Sequence, residues 1–398
     1  MSRLTYSLIR GGGALVFDAI EGITGVVESM HADIAGRSVP DAPRNAGRAR
    51  GLTGAVYRTI HGITRGVRIA VGAGLTPLAW LPATNEDSQG ERVLAAALNG
   101  LFGDHLQASG NPLALPLTLR HQGDALPLAG ALDAYALPTV TTRIALLVHG
   151  LCMTDLQWER DGASHADSLR SQGWTPVHVA YNSGLHVSRN GRTLARALEE
   201  LVARWPVPVE EIAFVAHSMG GLVVRSALYY GEGSTWRSLA RRAVFLGTPH
   251  HGAPLERGGN VFETVLGALP YAASLNRLGM ARSAGITDLR HGNLVDEDWQ
   301  GANRFARRGD SRKSLGLPEE MKCYFAAASL SSDKNQRRLS GDGLVPVDSA
   351  LGRHKDPKRN LALTKNHQWI GFGMNHFDLL YHADARAQVA SWFATPQQ

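Results

Sequence analysis

Ser218 stands in the run Ile212-Ala213-Phe214-Val215-Ala216-His217-Ser218-Met219-Gly220-Gly221-Leu222-Val223-Val224. The pattern predicts an apolar strand that turns into an apolar helix, with small residues two before and two after the serine. Such a turn is strained and pushes the serine hydroxyl into the open. Bulky side chains at Ala216 or Gly220 would collide across it, and the helix that follows sets its positive end beneath the hydroxyl. A hydroxyl is a weak nucleophile by itself and needs a base. His217 adjoins the serine, but the geometry of such a turn points it away, as a packing residue. A second apolar strand, Leu146-Leu147-Val148, ends in His149-Gly150, where glycine allows the backbone to turn. Downstream, Asp342 lies between two glycines in Ser340-Gly341-Asp342-Gly343-Leu344-Val345-Pro346, a setting that suits a carboxylate on a strand-end loop. Asp348 is its rival. His376 follows the last apolar strand and opens the final helix in Gly373-Met374-Asn375-His376-Phe377-Asp378, with His367, His354 and His382 as alternatives.

The serine turn resembles the nucleophile elbow of the alpha/beta-hydrolase family, and the chain resembles that family's lipases. Alanine at 216 departs from the commoner glycine, yet some bacterial lipases carry the same Ala-His-Ser-Met-Gly. The resemblance runs over Leu115 to Phe393 by order of elements and is specific at four short segments. It implies a nucleophile, acid and base in the order Ser218, Asp342, His376, with Asp342 holding the His376 imidazole in its working tautomer. It also implies that the His149-Gly150 turn supplies one oxyanion-hole N–H, transferred by position to Leu151, and that Met219 supplies the other. Preorganised donors of this kind contribute about 3–4 kcal/mol each to the barrier. The expected reaction is hydrolysis of an acyl ester or lipid through an acyl-enzyme, with no cofactor. Acyl transfer, amide, thioester or lipid deacylation, and a non-catalytic lipid-binding role on the same fold are the other readings. The secreted bacterial lipases bind calcium with a glutamine beyond Asn-His-x-Asp, where this chain has His382. Their first calcium carboxylate has no counterpart near Lys322, so no metal site is expected and Asp378 reads as a helix-start charge.

These residues need a frame. Continuous apolar runs predict strands at Arg143–Val148, Pro176–Tyr181, Ile212–Ala216, Ala243–Leu246, Cys323–Ala327 and Trp369–Phe372. Helices are expected at Glu86–Leu106, Ser164–Gln172, Ser188–Trp205, Met219–Tyr230 and Phe377–Phe393. Apolar strands alternating with helices specify an α/β fold: a mostly parallel sheet covered by helices on both faces. Leu115–Arg120 and Ala125–Leu128 read as a hairpin whose prolines mark edge strands. The stretch from about 254 to 320 interrupts the alternation and reads as an inserted lid, with Phe262, Val265, Leu266, Leu269 and Tyr271 as its apolar residues. The expected division is an N-terminal helical region, residues 1–110, and an alpha/beta-hydrolase domain, residues 111–398.

Two segments of the N-terminal region, Val16–Gly25 and Val56–Arg65, echo each other at a spacing of 40, with apolar residues on one helical face. Arg37 to Arg68 holds seven arginines against one aspartate. A helical hairpin packed on the next domain fits this pattern. So does a basic, apolar-faced helix lying on an anionic membrane surface, a peripheral contact. Whole-chain composition narrows the class. Of 398 residues, 44% are hydrophobic and 19% charged, enough for a sizeable core. The net charge of +6 is spread out, and no basic stripe interleaved with aromatics appears, so nucleic acid is not an expected partner. No apolar run reaches the roughly 18 residues of a spanning helix, and no secretory signal pattern opens the sequence. A cytoplasmic protein, with or without peripheral membrane contact, is expected. The two cysteines, Cys152 and Cys323, make no disulfide framework; Cys152 reads as a small apolar wall of the pocket. His250-His251 invites a metal reading, but consecutive side chains on an extended loop point opposite ways, which favours a structural loop. Asp296-Glu297-Asp298 reads as a solvated face.

Overall fold

The structure is a computed structural model. It describes residues 4–18, 89–127, 140–160, 162–253, 283–301, 312–333, 341–361 and 365–394, with a few positions between 21 and 69. Most of the two echoing segments, and residues 254–282 and 302–311 of the expected lid with its apolar residues, lie outside them. Among the described residues no helix is long and apolar enough to cross a membrane.

The chain divides into two compact units. The first contains residues 1–95, 106–114 and 271–281. Its described part holds helix α1 (residues 4–18) and the two ends of α2 (Gln89–Ala108). Asn111 joins them: its side-chain amide donates to the Gly11 carbonyl at 3.1 Å, and its backbone N–H donates to the Leu106 carbonyl at 2.9 Å.

The second unit contains Ala96–His105, residues 115–270 and residues 282–398. The expected boundary near residue 110 therefore falls after a helix whose middle already belongs to the sheet-bearing unit. The strands are β1 (Thr118–His121), β2 (Asp124–Ala125), β3 (Arg143–Val148), the short pair β4 (Glu159–Arg160) and β5 (Ala163–Ser164), β6 (Thr175–Ala180), β7 (Glu211–His217), β8 (Ala240–Leu246), β9 (Lys322–Ser329) and β10 (Gln368–Phe372). Eight of them form one sheet in the order β10-β9-β8-β7-β3-β6-β1-β2. From β10 to β6 every pairing is parallel, whereas β1 pairs antiparallel with both β6 and β2. The hairpin is thus the sheet's outer edge, where its prolines disturb no ladder.

The parallel strands are buried on both faces. On one side, Ile144, Leu146, Phe214, Ala216 and Phe245 pack with α4 (Val187–Arg204) and α5 (Met219–Tyr230). On the other, Ala145, Leu147, Val215, Val244 and Tyr324 pack with α3 (His165–Arg170) and α10 (Ala383–Ala394). This is the predicted layering, and it explains why the strands read as unbroken apolar runs rather than alternating ones. Three further helices lie between: α6 (Thr235–Leu239), α7 (Ala284–His291) and α8 (Val347–Ala350). The final helix differs from expectation. It is split into α9 (Asp378–Tyr381) and α10, because His382 turns extended (φ −66°, ψ 137°) and its Nδ1 accepts the Asp384 N–H at 3.2 Å. The side chain thereby caps a new helix instead of continuing the old one.

Candidate active site

All the expected site residues sit at one end of the sheet, on the loops that leave the carboxyl ends of β3, β7, β9 and β10. Ser218 takes φ 54°, ψ −126°, one of three non-glycine residues with positive φ among those described. Its N–H donates to the Leu246 carbonyl at 2.8 Å, which pins the turn to β8. The reason for a small residue two places on is now concrete. A Cβ at Gly220 would lie 2.6 Å from the His149 carbonyl oxygen and closer still to that of Val148. Both are backbone atoms that cannot step aside, so even alanine does not fit. Gly150 meets the elbow from the other side: a Cβ there would touch the Ser218 Cβ at 3.0 Å.

The loop after β3 is held by a side chain that sequence reasoning passed over. His149 Nδ1 is 2.8 Å from the Gly150 carbonyl oxygen, and its Nε2 accepts the Tyr181 N–H at 3.4 Å. The ring stacks on Tyr181 at 4.3 Å, and the Tyr181 hydroxyl donates to the His149 carbonyl at 2.8 Å. Burial pushes His149 down to about 4, so the ring is neutral, with its proton on Nδ1 donated to Gly150. In a trans peptide the N–H points opposite to the C=O. Fixing the Gly150 carbonyl therefore fixes the direction of the Leu151 N–H. The signal in the sequence was only the His-Gly pair itself.

Asp342 and His376 are brought together from loops after β9 and β10. His376 Nδ1 lies 2.7 Å from Asp342 Oδ2, with the two side chains 4% and 0% exposed. The other carboxylate oxygen, Oδ1, accepts the N–H groups of Leu344 (2.9 Å) and Val345 (2.7 Å). The His376 N–H also donates to the Asp342 carbonyl at 3.1 Å. The flanking glycines, Gly341 (φ 80°) and Gly343 (φ 96°), let this loop double back. Ser218 and His376 make no hydrogen bond to one another. Gly247 brings them near: it follows Leu246, which holds the Ser218 N–H, and a Cβ on it would lie 3.0 Å from His376 Cε1.

The rivals stand apart. Asp348 is 77% exposed and pairs with Arg353 at 3.5 Å. His367 packs on Tyr324, His354 lies beside His251, and His382 caps its helix. His217 is fully buried, with Nε2 3.1 Å from the His376 carbonyl oxygen; burial and the neighbouring His376 hold it well below its usual range. It steadies the backbone of His376 rather than facing the serine. His250 and His251 do point apart. The first stacks on Phe325 and lies 3.3 Å from an Arg225 nitrogen, and the second reaches the Gly352 carbonyl at 3.1 Å. No cluster of three or more potential metal ligands occurs among the described residues. Burial pushes the Cys152 thiol up to about 12, which leaves it unreactive at neutral pH.

Residues 140–315 match the family described as PGAP1-like alpha/beta domain. The fold is that of an alpha/beta-hydrolase. No curated protein sequence matches the chain. Among solved structures, the chain is similar to the Bacillus licheniformis lipase BlEst2 in its mature form, at 18% identity and TM-score 0.41, covering 63% of this chain and 91% of that one. It is similar to the Pyrococcus furiosus esterase Pf2001 at 13% identity and TM-score 0.37, covering 63% and 81%. It is also similar to the Legionella pneumophila phospholipase PlaB at 15% identity and TM-score 0.33, covering 52% and 45%.

Proposed function

We propose that this alpha/beta-hydrolase is a serine carboxylic-ester hydrolase of the lipase and esterase kind. The observation that carries the reading is the buried 2.7 Å bond between His376 Nδ1 and Asp342 Oδ2, beside a serine strained at φ 54°. The carboxylate fixes the tautomer that leaves His376 Nε2 free to accept a proton. Ser218 Oγ attacks the acyl carbon as His376 takes its proton, and the Leu151 and Met219 N–H groups receive the oxyanion. The alkoxide leaves with the proton from His376, and the acyl group stays on Ser218. Water then attacks the acyl carbon, giving its proton to His376. The acid departs as Ser218 recovers that proton. Acyl transfer differs only in the last acceptor, an alcohol in place of water.

The test is labelling by a fluorophosphonate probe alongside turnover of p-nitrophenyl esters from short to long chains. Wild type labels and turns over at least one ester, and Ser218→Ala abolishes both while keeping the melting temperature. Labelling that persists on the alanine variant sinks the assignment. Products formed with glycerol or a lysolipid present separate hydrolysis from transfer.

A further inference from the structure

Helix α2 precedes every residue of the proposed reaction, yet its middle, Ala96–His105, packs within the sheet-bearing unit. Three loops meet there. Behind the turn after β3, a Cβ at Gly100 would lie 2.9 Å from both the Cα and the N of Cys152, and closer to its sulfur. After β6, the Asn182 side-chain amide donates to the Gly103 carbonyl at 3.1 Å, and Gly184 lies against the Asn99 carbonyl. Before α7, the Ser283 hydroxyl donates to the Gly100 carbonyl at 2.6 Å, and the Ala284 N–H donates to Asp104 Oδ2 at 3.0 Å.

Glycine inside a helix is destabilising relative to alanine, and α2 carries two a turn apart. Each sits where a backbone or side chain from the sheet unit comes closer than any Cβ allows. Cys152 is itself held in an uncommon state, left-handed at φ 59°. A non-glycine residue stays there only when its surroundings over-determine it. Those surroundings are the Ser183 hydroxyl, which accepts the Cys152 N–H at 3.0 Å, the Ala97 carbonyl, 3.8 Å from the sulfur, and the bare face of Gly100.

We infer that α2 is the seat of the oxyanion loop, with Gly100 a positioning residue that acts through Cys152 on the adjoining Leu151 N–H. The inference rests on the ester-hydrolase reading for its catalytic consequence, while the seating itself is read without any turnover. His149 fixes which way the Leu151 N–H points, and α2 fixes how deep the loop sits. Filling Gly100 lifts Cys152 away from the helix and carries the donor off the oxyanion. An oxyanion donor acts on the transition state more than on bound substrate, so KM moves little.

The experiment compares Gly100→Ala, Cys152→Gly and the double variant with wild type on p-nitrophenyl butyrate, alongside Ellman titration of the native proteins. Gly100→Ala lowers kcat at least tenfold with KM within threefold, and one thiol becomes reactive that is silent in wild type. Cys152→Gly removes the sulfur, the nearest atom, and accepts the left-handed backbone, but it keeps the Cα and N that lie 2.9 Å from the new Cβ, so the double variant recovers part of the lost kcat, at least threefold over Gly100→Ala. Loss of one oxyanion donor is worth up to about 10²–10³ in kcat, which bounds the effect. A Gly100→Ala protein with kcat within twofold of wild type and a silent thiol overturns the inference. So does a loss of kcat that Cys152→Gly does not relieve. If the single variant fails to fold, recovery of fold and activity in the double variant supports the inference, and an insoluble double variant overturns it. Should wild type show no Ser218-dependent turnover, the proposed function fails, and the thiol titration alone decides whether α2 seats the loop.

Discussion

Replacing Asp342 by asparagine tests the heart of the site with the smallest change in shape. The orientation of the new amide follows from the hydrogen bonds. Oδ1 accepts two backbone N–H groups, from Leu344 and Val345, so that position must keep an oxygen. The NH2 group is therefore forced onto the Oδ2 side, 2.7 Å from His376 Nδ1. Two donors cannot face each other there, and His376 must shed its Nδ1 proton and carry it on Nε2. That is the tautomer unable to accept a proton from Ser218. The same substitution in a Ser-His-Asp site of another fold leaves geometry intact and lowers kcat about 10⁴-fold. A loss of this size is about 5.4 kcal/mol of barrier, at about 1.36 kcal/mol per tenfold. Stability should change far less, since the two backbone bonds survive. The assay is kcat on a soluble p-nitrophenyl ester at neutral pH, with the melting temperature of each variant. Asp348→Asn is the control and should be near wild type, because that carboxylate is mostly in solvent. A loss below tenfold in Asp342→Asn, or a dead Asp348→Asn, refutes the reasoning.

His149→Phe keeps the stack on Tyr181 but removes the bond to the Gly150 carbonyl; it should cost about 1–3 kcal/mol in urea unfolding and about 10–100-fold in kcat. An unchanged kcat would show that the loop does not need the ring. Burial pushes His149, His165 and His178 each down to about 4 from 6.5. Between those values the unfolded chain binds more protons, so stability falls as pH drops from about 6.5 toward 4, by at most about 1.4 kcal/mol per unit for each ring. A urea midpoint that does not move between pH 7 and pH 5 contradicts this. EDTA should leave activity unchanged, since His382 caps Asp384 and Asp378 accepts the Asn375 N–H; inactivation that calcium alone reverses would show otherwise. The arginine-rich stretch from Arg37 to Arg68 is proposed to favour anionic surfaces: full-length protein should float with anionic liposomes at low salt and be released at high salt. No flotation at low salt favours the packed hairpin.

The parallel sheet was legible because burial on both faces forces apolar runs that no other element explains, and α5 was placed to the residue by the elbow that starts it. What escaped the sequence was every feature decided by contact across the fold. The break at His382 depends on one ring capping one amide. The strict need for glycine at 220 depends on carbonyls from β3 and its loop, far away in the chain. The need for glycine at 100 and 103 depends on the loops after β3 and β6 that pack against them. Asp342 and His376 were legible through resemblance, yet their setting apart from Asp348 and His367 rests on burial that spacing does not encode.

The position of β10 has a consequence for when the protein can react. The elbow and the oxyanion loop leave β7 and β3, neighbours at the centre of the sheet, whereas His376 follows β10, which among the described strands lies outermost and pairs only with β9. On the proposed roles of Ser218 and His376, a nascent chain completes its nucleophile long before it acquires a base, and stays inert until its last strand docks. The same order runs backwards on heating or in denaturant. Edge strands open in sub-global fluctuations that leave the central core intact. Peeling β10 separates His376 from Asp342 and Ser218 without exposing the buried faces of β3 and β7. Turnover should thus vanish while most of the circular dichroism signal remains, and return last on refolding, so that hydrolysis serves as a sensor of the final docking step.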